Sequence, residues 1–300
     1  MEILYRQGDE DVAEAYLAKF EGENEYVEFV DSLGSAGSRK DKWVIIISSM
    51  FGCPVKCKFC DGGHFYEGTL TKEQMMEQVD YVVKKRSPSG KIDSDKFKVQ
   101  FARIGEPSFN DAVLDTIVEI KERYEPKTYM PCISTVAPAG RDEWFDAVAD
   151  LNNDIFQGEF QLQFSVHSTD EDYRDFLIPI KKMSLEEISE YGERYYSGGR
   201  KATLNFALDG KAPIDVGILS DIFDKRYFAV KITPMNPTRQ AEKNKLINVF
   251  SEGETDRYPV IKELGGEGFD VYLSIGELRE NEIKSNCGQV LLAYIDPSEL

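Results

Sequence analysis

Strand and helix signals alternate along this chain with a regularity that few folds can accommodate. Short apolar runs predict strands at Trp43–Ser49, Phe97–Ile104, Tyr129–Thr135, Phe160–His167, Ala202–Asp209, Phe228–Thr233 and Phe269–Ile275. Helical spacing fills the gaps between them. Thr71 and Gln74 make a capping box ahead of Met75, Val79, Val82 and Val83, and Val113, Ile117 and Ile120 share a face of a helix from about Asn110. Further helices are expected over Asp142–Leu151, Ser184–Tyr196, Ile214–Phe223 and Glu254–Leu264. Six or seven βα units in succession predict an α/β fold, a partial or full (β/α) barrel. A length of 300 residues suits one such domain. The expected layout is an N-terminal extension over 1–42 with a β-hairpin (Tyr16–Phe20 and Tyr26–Val30), the barrel over 43–276, and a C-terminal segment over 277–300.

Parallel barrels place their chemistry at the C-terminal ends of the strands. The unusual residues of this chain fall there: a cysteine loop after the first strand, Gly105-Glu106-Pro107 after the second, Ser134 on the third, Ser165 and His167 on the fourth, and Asn236 after the sixth. The loop holds Cys53, Cys57 and Cys60 in C-x3-C-x2-C spacing. Thiolates gathered so closely ligate metal, because one short loop can wrap its sulfurs around a single centre. A trio is one ligand short of a closed zinc site, which His64 could complete at a Cys60-x3-His64 spacing. On a 4Fe–4S cluster the same trio leaves one iron open to an outside ligand. That spacing is the one radical S-adenosylmethionine (SAM) enzymes use, with SAM chelating the open iron through its amino and carboxylate groups.

Composition narrows the setting. Five cysteines, three of them in a metal-type loop, argue against a secreted disulfide scaffold and for a reducing cytoplasm. No apolar run reaches the roughly 18 residues of a membrane span, and the N-terminus does not read as a signal peptide. With 36 Lys and Arg against 54 Asp and Glu, the net charge of −18 repels phosphate backbones on average.

Motif by motif, the chain resembles the radical SAM methyl synthases that methylate adenine in ribosomal and transfer RNA, together with their antibiotic-resistance relatives. The likeness runs from about residue 15 to 292 and keeps motif order. It covers the cysteine loop, Gly105-Glu106-Pro107-Ser108-Phe109-Asn110, Ile133-Ser134-Thr135, Phe164-Ser165-Val166-His167, Tyr173-Arg174-Asp175, Pro234-Met235-Asn236-Pro237 and Asn286-Cys287-Gly288-Gln289. The resemblance implies a barrel of the radical SAM type, with a 4Fe–4S cluster on Cys53, Cys57 and Cys60. It implies that Glu106, beside Gly105, holds the SAM ammonium, and that Ser134, Ser165 and Asn236 bond SAM's ribose or carboxylate. Cys287 would carry the methyl group: one SAM methylates the thiol, and a 5′-deoxyadenosyl radical from a second takes hydrogen from that methyl. The carbon radical then adds to an electron-poor sp2 carbon, forming a thioether link to substrate. The structural alternatives are turn caps for Ser and Asn, a satisfied barrel histidine for His167, and a small core residue for Cys287.

Three features depart from the family. Its members resolve the covalent link with a cysteine seven residues before the first cluster Cys, and here that position is Ile46. Cys132 is a candidate substitute, since it shares a strand face with Ser134, although a buried core Cys is the simpler reading. Only 42 residues precede the first strand, too few for the family's small RNA-contacting domain, and the net charge of −18 also disfavours RNA. The favoured substrate is therefore a small heterocycle or a peptide, with RNA adenine-C2 methylation, or hydrogen abstraction without methylation, as alternatives. An external flavodoxin- or ferredoxin-type electron donor is expected as partner, and no membrane.

Overall fold

The structure, a computed structural model, describes residues 1–33, 37–63, 65–246, 259–274 and 287–295. It opens with three antiparallel strands, β1 (Glu2–Asp9), β2 (Ala13–Lys19) and β3 (Tyr26–Ser32), and β3 then pairs antiparallel with β4 (Trp43–Ile47). The sequence predicts only the second and third of these. Most of β1 is exposed or half-buried, so it lacks the apolar alternation that marks a strand. The predicted first barrel strand stops at Ile47, and a two-stranded antiparallel ribbon follows, β5 (Met50–Gly52) with β6 (Tyr66–Thr69). That ribbon brackets the cysteine loop.

Two compact units divide the chain. One comprises Met1–Lys56, Cys60–Ser134 and Gly276–Leu300; the other comprises Cys57–Phe59 and Thr135–Ile275. In the first, β4 runs parallel to β7 (Phe97–Phe101), and β7 parallel to β8 (Tyr129–Thr135), in a register that sets Ile46 against Gln100 and Gln100 against Cys132. Helix α1 (Lys72–Arg86) joins β6 to β7 and starts at the predicted capping box: Thr71 accepts from the Gln74 N–H at 3.2 Å, and the Gln74 side chain accepts from the Thr71 N–H at 2.9 Å. Helix α2 (Ala112–Tyr124) joins β7 to β8 and buries Val113, Ile117 and Ile120 on one face.

The second unit repeats the same logic. Helix α3 (Asp142–Asp150) leads to β9 (Gln161–Ser165), α4 (Glu171–Leu177) and α5 (Leu185–Tyr195) lead to β10 (Ala202–Leu208), and α6 (Val216–Ile222) leads to β11 (Phe228–Pro234). After α7 (Arg239–Lys243) and α8 (Pro259–Gly266), β12 (Asp270–Leu273) closes a run in which β9, β10, β11 and β12 are all parallel. Phe145, Phe164 and Tyr191 meet edge-on or stacked under α5, where Gly192 lets the Phe228 ring approach so closely that a Cβ would lie 2.0 Å from it. Strands buried on both faces and joined by helices make a mostly parallel α/β architecture, as the alternation of signals predicts. No helix among the described residues is long and apolar enough to cross a membrane.

Candidate active site

The cysteine loop is held at both ends by backbone that only glycine supplies. Gly52 has φ +78°, and a Cβ there would sit 1.8 Å from the Phe65 carbonyl oxygen, the atom that accepts the Cys53 N–H at 3.0 Å. Gly63 passes the turn at Lys56 so tightly that a Cβ would lie 2.8 Å from the Lys56 Cα. All three sulfur-bearing residues are half-buried. Burial, reinforced by the charge of Cys60, pushes the Cys53 thiol up to about 12. Such a thiol keeps its proton unless a metal ion displaces it. Among the described residues no three His, Cys, Asp or Glu side chains converge as a metal-bound set would. His64, the proposed fourth zinc ligand, lies outside the described residues.

The Gly105-Glu106-Pro107 turn is knitted to the strand end just ahead of that loop. Ser49 and Met50 donate their N–H groups to the Ile104 carbonyl at 3.0 and 3.2 Å, and Asn110 Nδ2 donates to the carbonyls of Ser49 and Leu70, both at 2.8 Å. Gly105 has φ +116°, and a Cβ there would meet the Met50 side chain at 2.6 Å. Glu106 is buried, with Oε1 accepting from the Ser108 N–H at 3.1 Å and the Ser108 hydroxyl at 2.8 Å. It therefore caps the short turn Pro107–Phe109 and is oriented by it.

Cys287 reaches the same unit from the far end of the chain. Its sulfur lies beside that of Cys60, and the interaction between them raises the Cys287 thiol, as burial also does, while it lowers Cys60 against the opposing effect of burial. A Cβ on Gly62 would lie 3.3 Å from the Cys287 sulfur and 3.5 Å from that of Cys60, so both sulfurs border one glycine. Gly288 follows at φ +83°, with its Cα face pressed on the Asp61–Gly62 peptide. Helix α9 (Gln289–Ile295) packs Val290 and Leu291 into a cluster with Val12, Ala15, Leu17, Val30 and Ile104, and Cys287 and Ile46 both border that cluster. Sequence reasoning did not single out Glu28, which is fully buried on β3 and accepts from the Gly288 N–H at 2.9 Å. Its signal was available: a carboxylate between Val27 and Phe29 in a strand buried on both faces.

The remaining candidates occupy strand ends. Ser134 is half-buried in the first unit, near the end of β8. Cys132, two residues earlier, is 1 % exposed and lies on the buried strand beside Gln100. In the second unit Ser165 ends β9 opposite Asn205, and Asn236 is exposed, its carbonyl accepting the Thr238 N–H at 2.8 Å. His167 is the satisfied residue its simpler reading describes. It is buried at φ +64°, and its Nδ1 accepts the Ala207 N–H at 3.1 Å. Burial, with the Arg174 charge, lowers it to about 4.

No family model matches the sequence. A probable dual-specificity RNA methyltransferase RlmN from Synechococcus is 25% identical over 250 residues, covering 80% of this chain and 70% of its own. One from Petrotoga mobilis is 25% identical over 252 residues, covering 80% of this chain and 69% of its own. The crystal structure of a radical SAM methyltransferase from Sphaerobacter thermophilus superposes with a TM-score of 0.71 at 19% identity, over 96% of this chain and 80% of that one. Fold and sequence together define an enzyme of the radical SAM methyltransferase class. Within it, the chain is a distant relative of the RlmN-type enzymes. The likeness implies a 4Fe–4S cluster and SAM, and the donor chemistry fits by residue type: three free thiols on one loop that glycine and backbone bonds hold in shape.

Proposed function

We propose that the protein is a methyl synthase in which Cys53, Cys57 and Cys60 hold the cluster and Cys287 carries the methyl group to an sp2 carbon. When bound, the cluster and SAM supply the methyl group and the radical. Glu106, oriented by Ser108, presents a carboxylate suited to the SAM ammonium, and Gly105 gives the close backbone approach. Ser134, Ser165 and Asn236 are the polar groups offered to SAM's ribose and carboxylate. The observation that carries the reading is the contact between Cys287 and Cys60. A methyl carrier must lie beside the cluster loop, and Cys287, 226 intervening positions from Cys60, borders Gly62 together with it.

The substrate proposed is a small heterocycle or a peptide. The matched relatives are named for RNA, and RNA adenine-C2 methylation is the second reading. Against it stand the charge of −18 and Ile46, which borders the same cluster as Cys287 yet offers no thiol. Cys132 is kept as the candidate for a second thiol, and a flavodoxin or ferredoxin as electron source. A third possibility, hydrogen abstraction without methylation, would leave Cys287 unmodified.

Anaerobic reconstitution with iron and sulfide, then incubation with methyl-labelled SAM and dithionite, tests the proposal. Label on the peptide holding Cys287, together with 5′-deoxyadenosine, is the expected result. 5′-Deoxyadenosine with unmodified Cys287 would overturn the carrier role, and zinc without iron would overturn the radical chemistry. Mass analysis of ribosomal and transfer RNA from the same reaction separates the RNA reading: unchanged adenine eliminates it.

A further inference from the structure

Cys287 has to stand beside Cys60 reproducibly, yet neither thiol is a strong hydrogen-bonding group. The stronger hold comes from β3. Glu28 is fully buried, and its two oxygens are fully engaged with the segment that follows Cys287: Oε2 accepts the Gly288 N–H at 2.9 Å and Oε1 the Leu291 N–H at 2.8 Å. These N–H groups open helix α9, where no earlier turn provides carbonyl partners. An ionised carboxylate is the best acceptor for them.

Such a charge cannot be buried alone. Arg103, also buried, donates to Oε2 and supplies the opposite charge beside it. Both residues are then fixed by one hydroxyl. Ser48 Oγ donates to the Glu28 carbonyl at 2.6 Å, and accepts the Glu28 N–H and the Ile104 N–H, each at 3.2 Å. The carboxylate, its counter-charge and the strand end leading to Gly105 are thus one rigid assembly.

We infer that Glu28 and Arg103 form a buried latch that docks the Cys287–Gly288 segment onto the cluster loop, making them positioning residues for Cys287. The inference rests on the carrier role proposed above for its purpose, but the docking itself is a property of the folded chain. The latch acts on backbone N–H groups, so it fixes where the thiol stands without touching sulfur. It also accounts for Gly288: only a residue without Cβ can lie on the Asp61–Gly62 peptide, at 2.4 Å from where a Cβ would be, while its N–H points at Glu28.

The test is the rate at which iodoacetamide alkylates Cys287 in the reduced full-length protein, with Cys132 followed in the same digest as a reporter of global opening. Glu28→Gln keeps the shape but loses the charge that holds two N–H groups and Arg103. Cys287 should be alkylated at least about tenfold faster, with Cys132 still protected. Because Glu28→Gln takes away the carboxylate that Arg103 pairs with, Glu28→Gln/Arg103→Met is made in parallel, removing both charges together. Selective exposure of Cys287 in either variant supports the latch. An unchanged Cys287 rate in both, or Cys132 exposed along with Cys287 in both, overturns it. Methyl label on Cys287 from SAM is then read in the wild type and the variants. Wild type without label, beside a selective alkylation response, would sink the carrier reading and leave the latch standing. Wild-type labelling that the released variants match would show that the latch docks the segment without positioning it for reaction.

Discussion

Gly288 and His167 hold left-handed backbone for opposite reasons. At Gly288 the constraint is contact, since a side chain would meet the Asp61 carbonyl carbon and the Gly62 nitrogen at 2.4 Å. Gly288→Ala is expected to lose about 1–2 kcal/mol to backbone conformation alone, before any clash. The measurement is the urea midpoint, and Cys287 labelling should fall with it. Cys287→Ala should abolish methyl transfer to background while 5′-deoxyadenosine is still produced, as counted by chromatography. At His167 the left-handed turn aims Nδ1 at the Ala207 N–H, so the ring must stay neutral to accept. Its folded value of about 4 lies below the 6.5 of the unfolded chain, a difference worth about 3 kcal/mol. That contribution is full above pH 6.5 and is lost as pH falls through 4. His167→Asn, which tolerates the same backbone, should flatten stability over this window in a pH series of urea melts.

Among the elements, β2 and β3 bring buried carboxylates to the end of α1. Glu14 accepts from Lys85 at 2.6 Å, from the Tyr16 hydroxyl at 3.0 Å and from Arg86, while Arg86 and Arg39 also bond Asp31. Burial pushes Glu14 up, but the bonds from Lys85 and Tyr16 and the charges of Arg86 and Lys85 outweigh it and leave the carboxyl lowered. A lowered carboxylate stabilises the fold above its ordinary 4.5 and ceases to as pH falls through its folded value. Arg86→Leu should therefore cost about 3–5 kcal/mol at neutral pH, with the deficit shrinking in acid, as measured by chemical denaturation at both pH values. The capping box at Thr71 and the face of Val113, Ile117 and Ile120 were legible because each is local and periodic. The strand-end motifs were legible because a parallel α/β topology prescribes where chemistry sits. What could not be read was long-range pairing. Glu28 and Arg103 are 75 positions apart, and neither carries a spacing that names the other. Helix α4 escaped for a different reason: its apolar residues are too few to show a period, and its Asp170 cap resembles any loop aspartate.

At the scale of the whole molecule, charge sets what the protein can meet. Net −18 on 300 residues means that any polyanion approaches against a repulsive field. Some of its 36 lysines and arginines are also committed: Arg39, Lys85, Arg86 and Arg103 all face buried carboxylates, so the formal basic count overstates what a phosphate backbone would find. Binding to a generic RNA should therefore be weak at moderate salt and have a shallow dependence on salt concentration, because few counterions are released. Filter binding of a structured RNA across a salt series checks this. A steep log–log slope, equivalent to several phosphate contacts, would show that a local cationic surface overrides the average field. A shallow one would leave the site to ligands that bring little negative charge, which is the class that the proposed thiol carrier and an uncharged sp2 carbon acceptor suit.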